Sequence, residues 1–141
     1  MKETFPKAID FLFRQEGHYS NDALDSGGET MLGISKNNWP VQFNEIMSLP
    51  DDQKRQYAIH FYEVHFWNEF NCDLYVYPID MANFDSAVNM GKVFYTEGDT
   101  LSDILFKRLN YYSMIVKRNP SQIKFLRGWM NRVISLWEEC K

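Results

Sequence analysis

Residues 16–35 read EGHYSNDALDSGGETMLGIS, and this stretch separates a helix-forming segment from the rest of the chain. Before it, apolar residues recur at helical spacing between Thr4 and Glu16, and Gly17 then favours the end of a helix. The run that follows is rich in turn-forming residues and cannot continue a long helix. Residues 30–35 fit a short strand or an extended segment. We therefore predict a helix that ends at Glu16 and carries its carboxyl group to an irregular loop.

Four further helices are predicted downstream of this loop. We place them by the helical spacing of apolar residues. Their limits are marked by a proline at a helix start and by glycine or Asn-Pro at helix ends. The predicted fold class is mainly α, a single lysozyme-like domain over 1–141 with a short irregular or β-containing loop after the first helix. Residues 1–77 would form its catalytic part and residues 78–141 a helical part. The predicted helices span residues 53 to about 70, 78–91, about 100–118, and the segment after Asn119-Pro120.

The composition is that of a folded domain without a membrane span. The 141 residues are 45% hydrophobic and 16% aromatic, which argues against disorder. No apolar run approaches the roughly 18–20 residues of a membrane helix, and the first residues lack the apolar core of a signal peptide. We expect synthesis in the cytoplasm and no stable membrane insertion. Cys72 and Cys140 are too few for a disulfide framework, and free buried thiols are expected.

Charge is distributed unevenly along the chain. Residues 1–100 carry a net charge of −9 and residues 101–141 carry +5, within a total of −4. The basic part either faces a polyanion or is a solvated helix surface. No reading motif for nucleic acid accompanies it, so nucleic acid is not an expected partner.

Two carboxylates in contrasting settings suggest acid/base chemistry. Glu16 ends an apolar helix, and burial of a carboxyl group favours the protonated form that a general acid needs. Asp25 lies in a polar loop that keeps a carboxylate ionised, and such a pair is typical of glycoside hydrolysis. Thr30 would orient a water molecule, and Gly33 would let a sugar or the backbone come close. A helix-end glutamate is also an ordinary surface residue, and residue chemistry alone does not choose among acid/base enzymes.

The same stretch resembles the signature of glycoside hydrolase family 108, the N-acetylmuramidases of phage endolysins and bacterial secretion muramidases. The family pattern runs Glu-Gly-Gly-Tyr, Asn, Asp-Pro-Gly-Gly-x-Thr and Gly-Ile/Val-Ser/Thr. This chain departs from it at His18 and Ser26. The residues that match are Glu16, Asp25, Gly27, Gly28, Thr30 and Gly33.

The resemblance continues to the end of the chain. Residues 61–67, FYEVHFW, resemble an aromatic helix of the family that is rich in tyrosine and tryptophan. Residues 84–91, FDSAVNMG, resemble the motif that opens the family's C-terminal peptidoglycan-binding region. Residues 108–112 and 125–133 resemble its last two helices, whereas the segment between Gly91 and Arg108 is shorter than is usual.

The resemblance implies a peptidoglycan hydrolase that cleaves the β-1,4 bond between N-acetylmuramic acid and N-acetylglucosamine. Glu16 would protonate the glycosidic oxygen, while Asp25 would stabilise charge at the sugar or position water with Thr30. We expect no cofactor or metal, a monomer, and action on the cell wall after passage through a holin or another export route. The alternative is a degenerate, non-catalytic peptidoglycan-binding module. The predicted substrate-binding residues are His18, Tyr19, Ser20, Asn21, Gly28, Asn89 and Trp129.

Other candidate residues have simpler interpretations. His60, Glu63 and His65 do not have the His-Glu-x-x-His spacing of a zinc site, and two histidines five apart do not share a face of an α-helix. Aromatic residues such as Trp129 suit sugar faces but are more often packing residues. Asn89 is polar on an apolar helix, so either a buried hydrogen-bond network or the substrate cleft requires it.

Overall fold

The structure, a computed structural model, describes residues 2–21 and 28–141. It is 71% helical and contains a three-stranded antiparallel sheet directly after the first helix. The predicted mainly α class, with a β-containing segment after helix 1, is therefore confirmed. The helices are α1 (Phe5–Glu16), α2 (Pro40–Ser48), α3 (Asp51–Tyr62), α4 (Ile79–Met90), α5 (Leu101–Arg118) and α6 (Ile123–Cys140), and the strands are β1 (Tyr19–Asn21), β2 (Glu29–Met31) and β3 (Ile34–Ser35).

The chain divides into two compact units. Pro6–Glu69 form the first, here called the α/β unit. Phe70–Lys141, with the residues before Pro6, form the second, here called the helical unit. Among the described residues, no helix combines the length and the apolar character needed to cross a membrane.

In the α/β unit, α1 leads directly into the sheet, α2 packs on it, and α3 packs on α2. The strands pair in the order β1-β2-β3, with Ser20 opposite Thr30 and Thr30 opposite Ser35. Helix α2 packs on β2, β3 and α3, with Phe43 and Ile46 fully buried. The sequence prediction missed α2, because only two of its side chains are buried and no polar N-cap residue marks its start. Its signal is Pro40 at the first helical position.

In the helical unit, α4 is buried on every side from Asp80 to Ala87, and the polar side chains in this range are buried with the apolar ones. It ends where predicted, since Gly91 adopts a left-handed φ of +70°. Helix α5 also begins where predicted: the Thr100 hydroxyl and the Asp103 carboxylate form a reciprocal capping box. Helix α6 packs against α5. Gly128, inside α6, is exposed, with no atom within 4 Å of a Cβ added there.

Candidate active site

Glu16 is the last residue of α1, and its side chain is half-buried. Gly17 follows with a φ of +71° and turns the chain out of the helix into β1. The helix-end position predicted for this carboxyl group is confirmed. The side chain therefore projects from a rigid element whose apolar face is anchored in the core.

The turn between β2 and β3 is built from two residues in left-handed conformations. Met31 pairs with Ile34, which leaves Leu32 and Gly33 as the turn, with φ values of +50° and +82°. Positive φ at both central positions is the requirement of a type I′ hairpin turn. The Leu32 amide also donates to the carbonyl oxygen of His18 at 2.5 Å, which ties the turn to the segment just after α1.

Gly33 lies directly against the side chain of Glu16. A Cβ added at Gly33 would lie 3.0 Å from Glu16 Cγ and would collide with the Tyr62 hydroxyl. The prediction at this glycine was a close approach of a sugar or the backbone, and the structure places two side chains there. The groups that come close are the stem of Glu16 and the hydroxyl of Tyr62.

Tyr62, at the end of α3, also contacts this turn. Its hydroxyl donates to the Leu32 carbonyl oxygen at 2.7 Å, and its side chain is 1% exposed. The ring packs edge-on against Phe13, one turn before Glu16 on α1. Sequence reasoning did not single out this residue; its one signal is the Phe61-Tyr62 pair within the segment that resembles the aromatic helix of family 108.

The sheet carries most of the other residues predicted for the site. Thr30 and Ser20 are half-buried on paired strands, and His18 and Asn21 are exposed. Tyr19 is also exposed, and its hydroxyl donates to the Glu29 carboxylate at 2.5 Å, a hydrogen bond that raises the pKa of Tyr19.

The loop between β1 and β2 is described only at its second end. Gly28 adopts a φ of +66°, and a Cβ there would lie 2.8 Å from the side-chain nitrogen of Asn37. Asp25 and its neighbours, residues 22–27, lie outside the described residues. The pairing of Glu16 with Asp25 stays a prediction.

A glycosyl hydrolase 108 family model matches residues 9–91, which is more than half of the chain and includes Glu16, the sheet and α2–α4. The chain belongs to glycosyl hydrolase family 108. The match places it among glycoside hydrolases. It ends at Gly91, so the likeness of α5 and α6 to the family's peptidoglycan-binding region stays a prediction.

The fold of this family 108 chain is similar to that in the "Structure of Brucella abortus SagA". The TM-score is 0.76, with 21% sequence identity over 99% of this chain and 95% of SagA. The likeness supports the predicted mainly α, lysozyme-like fold. No curated protein matches the chain.

In the helical unit, Asn89 belongs to a polar network that includes Asp85. The Asp85 carboxylate is buried and pairs with Arg108 at 2.9 Å and Arg132 at 3.0 Å. Burial by itself would raise the pKa of Asp85, but the guanidinium groups of Arg132 and Arg108 outweigh it and hold this pKa below its usual range. Asn89 accepts from the Tyr112 hydroxyl at 2.5 Å. Of the two alternatives for Asn89, the hydrogen-bond network is present.

Trp129 is half-buried and stacks on Tyr112, with ring centroids 5.0 Å apart and planes inclined by 16°. Within the helical unit it is thus a packing residue. A part for Trp129 or Asn89 in sugar binding stays a prediction.

His60 and His65 line the same pocket, although residues five apart do not share a face of an α-helix. Helix α3 continues as a π-helical turn over Glu63–Trp67, where the Asn68 amide donates to the Glu63 carbonyl oxygen five residues back. Both histidines line one pocket together with Glu45 and Phe61. Within residues 2–21 and 28–141, no three His, Cys, Asp or Glu side chains are grouped so as to hold a metal ion.

Cys72 and Cys140 are both buried thiols. Burial raises the pKa of the Cys72 thiol to about 12. Because the thiolate is the nucleophilic form, Cys72 is unsuited to nucleophilic catalysis at neutral pH.

Proposed function

We propose that this chain is an N-acetylmuramidase that hydrolyses the β-1,4 bond between N-acetylmuramic acid and N-acetylglucosamine in peptidoglycan. The observation that carries the proposal is the setting of Glu16. Within the region matched to family 108, its carboxyl group ends α1 and its stem is held against the Leu32–Gly33 turn. The resemblance of residues 16–35 to the family's muramidase signature supplies the substrate.

Glu16 would act as the general acid. Its carboxyl proton passes to the glycosidic oxygen as the bond from the sugar C1 to that oxygen breaks. Water then adds to C1 and releases a proton, which restores the acid form of Glu16. The stem of Glu16 lies against Gly33, and the Tyr62 hydroxyl holds the same turn through the Leu32 carbonyl oxygen. Such support of a reacting group by packed neighbours is what keeps catalytic geometry within tenths of an ångström.

Asp25 would either stabilise positive charge at the sugar or position the attacking water together with Thr30. Tyr19 supports a sugar-binding part for the sheet, because its exposed ring offers an apolar face of the kind that pyranoses stack on. We propose that His18, Ser20, Asn21 and Gly28 complete this binding surface. The enzyme would act on the cell wall after a holin or another route carries it there.

The test is Glu16→Gln, which keeps the size of the side chain and removes its acidic proton. Loss of a general acid is expected to lower the rate by a factor on the order of 10²–10⁴ without unfolding the protein. The measurement is mass spectrometry of fragments released from purified peptidoglycan, with circular dichroism as the check on folding. Glu45→Gln is the matched control, since Glu45 is an exposed glutamate of the same unit bonded to Tyr57; it should retain full activity.

Wild-type rates from Glu16→Gln would reject Glu16 as the acid. Fragments ending in reducing N-acetylglucosamine, or cut in the stem peptide, would reject the muramidase assignment. Retention on insoluble peptidoglycan without any released fragment would identify a binding module instead.

A further inference from the structure

The last two helices contain a long stretch without acidic residues. Between Asp103 and Glu138 there are 34 residues with seven lysines or arginines and no aspartate or glutamate. Three of these cations are neutralised elsewhere in the helical unit. Lys107 pairs with Asp99, and Arg108 and Arg132 pair with Asp85.

The other four cations cluster where α5 ends and α6 begins. Lys117, Arg118, Lys124 and Arg127 are all exposed, and none has a carboxylate partner in the part of the chain that the structure describes. We call these four residues the basic tip. Their charges are free to attract an external anion.

An exposed row of apolar side chains runs along α6 from the basic tip. Ile123, Met130, Ile134 and Trp137 are spaced by seven, four and three residues, which places them on one face of the helix. Ile123 is 63% exposed and Ile134 is 54% exposed. On α5, Phe106 is 68% exposed, and it lines a groove of about 250 Å³ with Ile134 and Trp137. We call the four α6 residues with Phe106 the apolar stripe.

We propose that the basic tip and the apolar stripe dock this chain onto the surface of an anionic lipid bilayer. A helix that is apolar on one side and cationic beside it lies in the interface between lipid headgroups and acyl chains. The cations would bind the anionic headgroups, and Ile123 and its neighbours on the stripe would enter the headgroup region. Several large apolar side chains exposed on one face of a helix are typical of an interaction surface.

The apolar stripe favours lipid over a soluble polyanion. A polyphosphate chain would pair with the basic tip but would leave Ile123, beside Lys124, in water.

The first experiment measures sedimentation of the full chain with phosphatidylcholine vesicles, with and without phosphatidylglycerol. Binding is expected only to the anionic vesicles and should weaken as salt is added. Lys124→Gln with Arg127→Gln should lower the partition coefficient about 25-fold, at roughly fivefold for each cation lost near the surface. Lys7→Gln with Lys36→Gln, which removes two exposed cations of the α/β unit, is the matched control and should bind as wild type.

The second experiment places an environment-sensitive fluorophore at Ile123→Cys, which is selective because both native cysteines are buried. Anionic vesicles should shift its emission to the blue, whereas a label at Asn44→Cys, an exposed position on α2, should not respond. Binding to soluble polyphosphate with no shift on vesicles would overturn the proposal in favour of a polyanion. Light scattering that shows dimers, without vesicle binding, would overturn it in favour of a second copy.

Discussion

Gly33 is the residue on which the geometry around Glu16 depends most directly. Its φ of +82° lies in the region that side-chain-bearing residues avoid, and the space for a Cβ is taken by Glu16 and Tyr62. Sequence reasoning predicted a close approach at this glycine but assigned it to a sugar or to the backbone. The reason is physical: only the folded hairpin brings the turn back onto the end of α1.

Gly33→Ala should therefore destabilise the protein and disturb Glu16. The backbone conformation alone costs roughly 1–2 kcal/mol with a Cβ present, and the contact with Glu16 adds to it. Urea denaturation should show a lower midpoint, and fragment release from peptidoglycan should fall.

Gly128→Ala is the control, and it should change the free energy of unfolding in the opposite direction. Gly128 lies inside α6 with nothing within 4 Å of an added Cβ, so alanine should raise the free energy of unfolding by roughly 0.5–1 kcal/mol. Equal effects of the two substitutions would contradict this account of Gly33.

At the scale of elements, α3 supports the β2–β3 hairpin through one hydrogen bond. Tyr62→Phe removes the hydroxyl that donates to the buried Leu32 carbonyl oxygen. An unsatisfied buried acceptor costs about 1–3 kcal/mol, so both stability and turnover should decrease. Tyr57→Phe on the same helix is the comparison, because the Tyr57 hydroxyl bonds to the exposed Glu45 and its loss should change stability by less than about 0.5 kcal/mol. If Tyr62→Phe changed neither stability nor turnover, the turn would not depend on this hydrogen bond.

Local sequence signals predicted where helices begin and end better than they predicted whether a given helix is present. Thr100 with Asp103, and Gly91, act within one turn of helix, so their caps are readable from the sequence. Helix α2 offers only Pro40 as a local signal, because its burial comes from the sheet and α3. Around the site, Glu16 was predicted, whereas Tyr62 reaches its partner across 30 residues, a separation that no local pattern encodes.

At the scale of the whole molecule, Asp85 joins the three longest elements of the helical unit. It lies on α4 and pairs with arginines on α5 and α6. The sequence left Asn89, in the same network, between a buried network and the cleft, because a polar residue on an apolar helix fits both. The sequence also predicted the basic charge of residues 101–141. It could not predict that Arg108 and Arg132 are neutralised, because their pairing with Asp85 forms only in the folded chain.

Asp85→Asn should lower the free energy of unfolding by about 3–5 kcal/mol, since it leaves two buried guanidinium groups without their carboxylate. The folded-state pKa of Asp85 is depressed, so its contribution is present at neutral pH and is lost as the pH falls through that folded-state value. Urea midpoints measured from neutral to acidic pH should fall in the wild type and vary less in Asp85→Asn.

Asp10→Asn is the control for this carboxylate. Asp10 pairs with Arg55 at 2.9 Å on the surface, with its side chain 65% exposed, and its loss should cost less than about 1 kcal/mol. A similar loss of unfolding free energy in both variants would show that the buried Asp85 network contributes no more than a surface ion pair.

The π-helical turn at Glu63–Trp67 changes how spacing should be compared between sequences. One turn of this segment uses an additional residue, which is the structural equivalent of a single-residue insertion in an α-helix. An alignment with a relative whose helix is uninterrupted would need a one-position gap here. A motif search with fixed α-helical offsets would accordingly treat His60 and His65 as unrelated, although they line the same pocket.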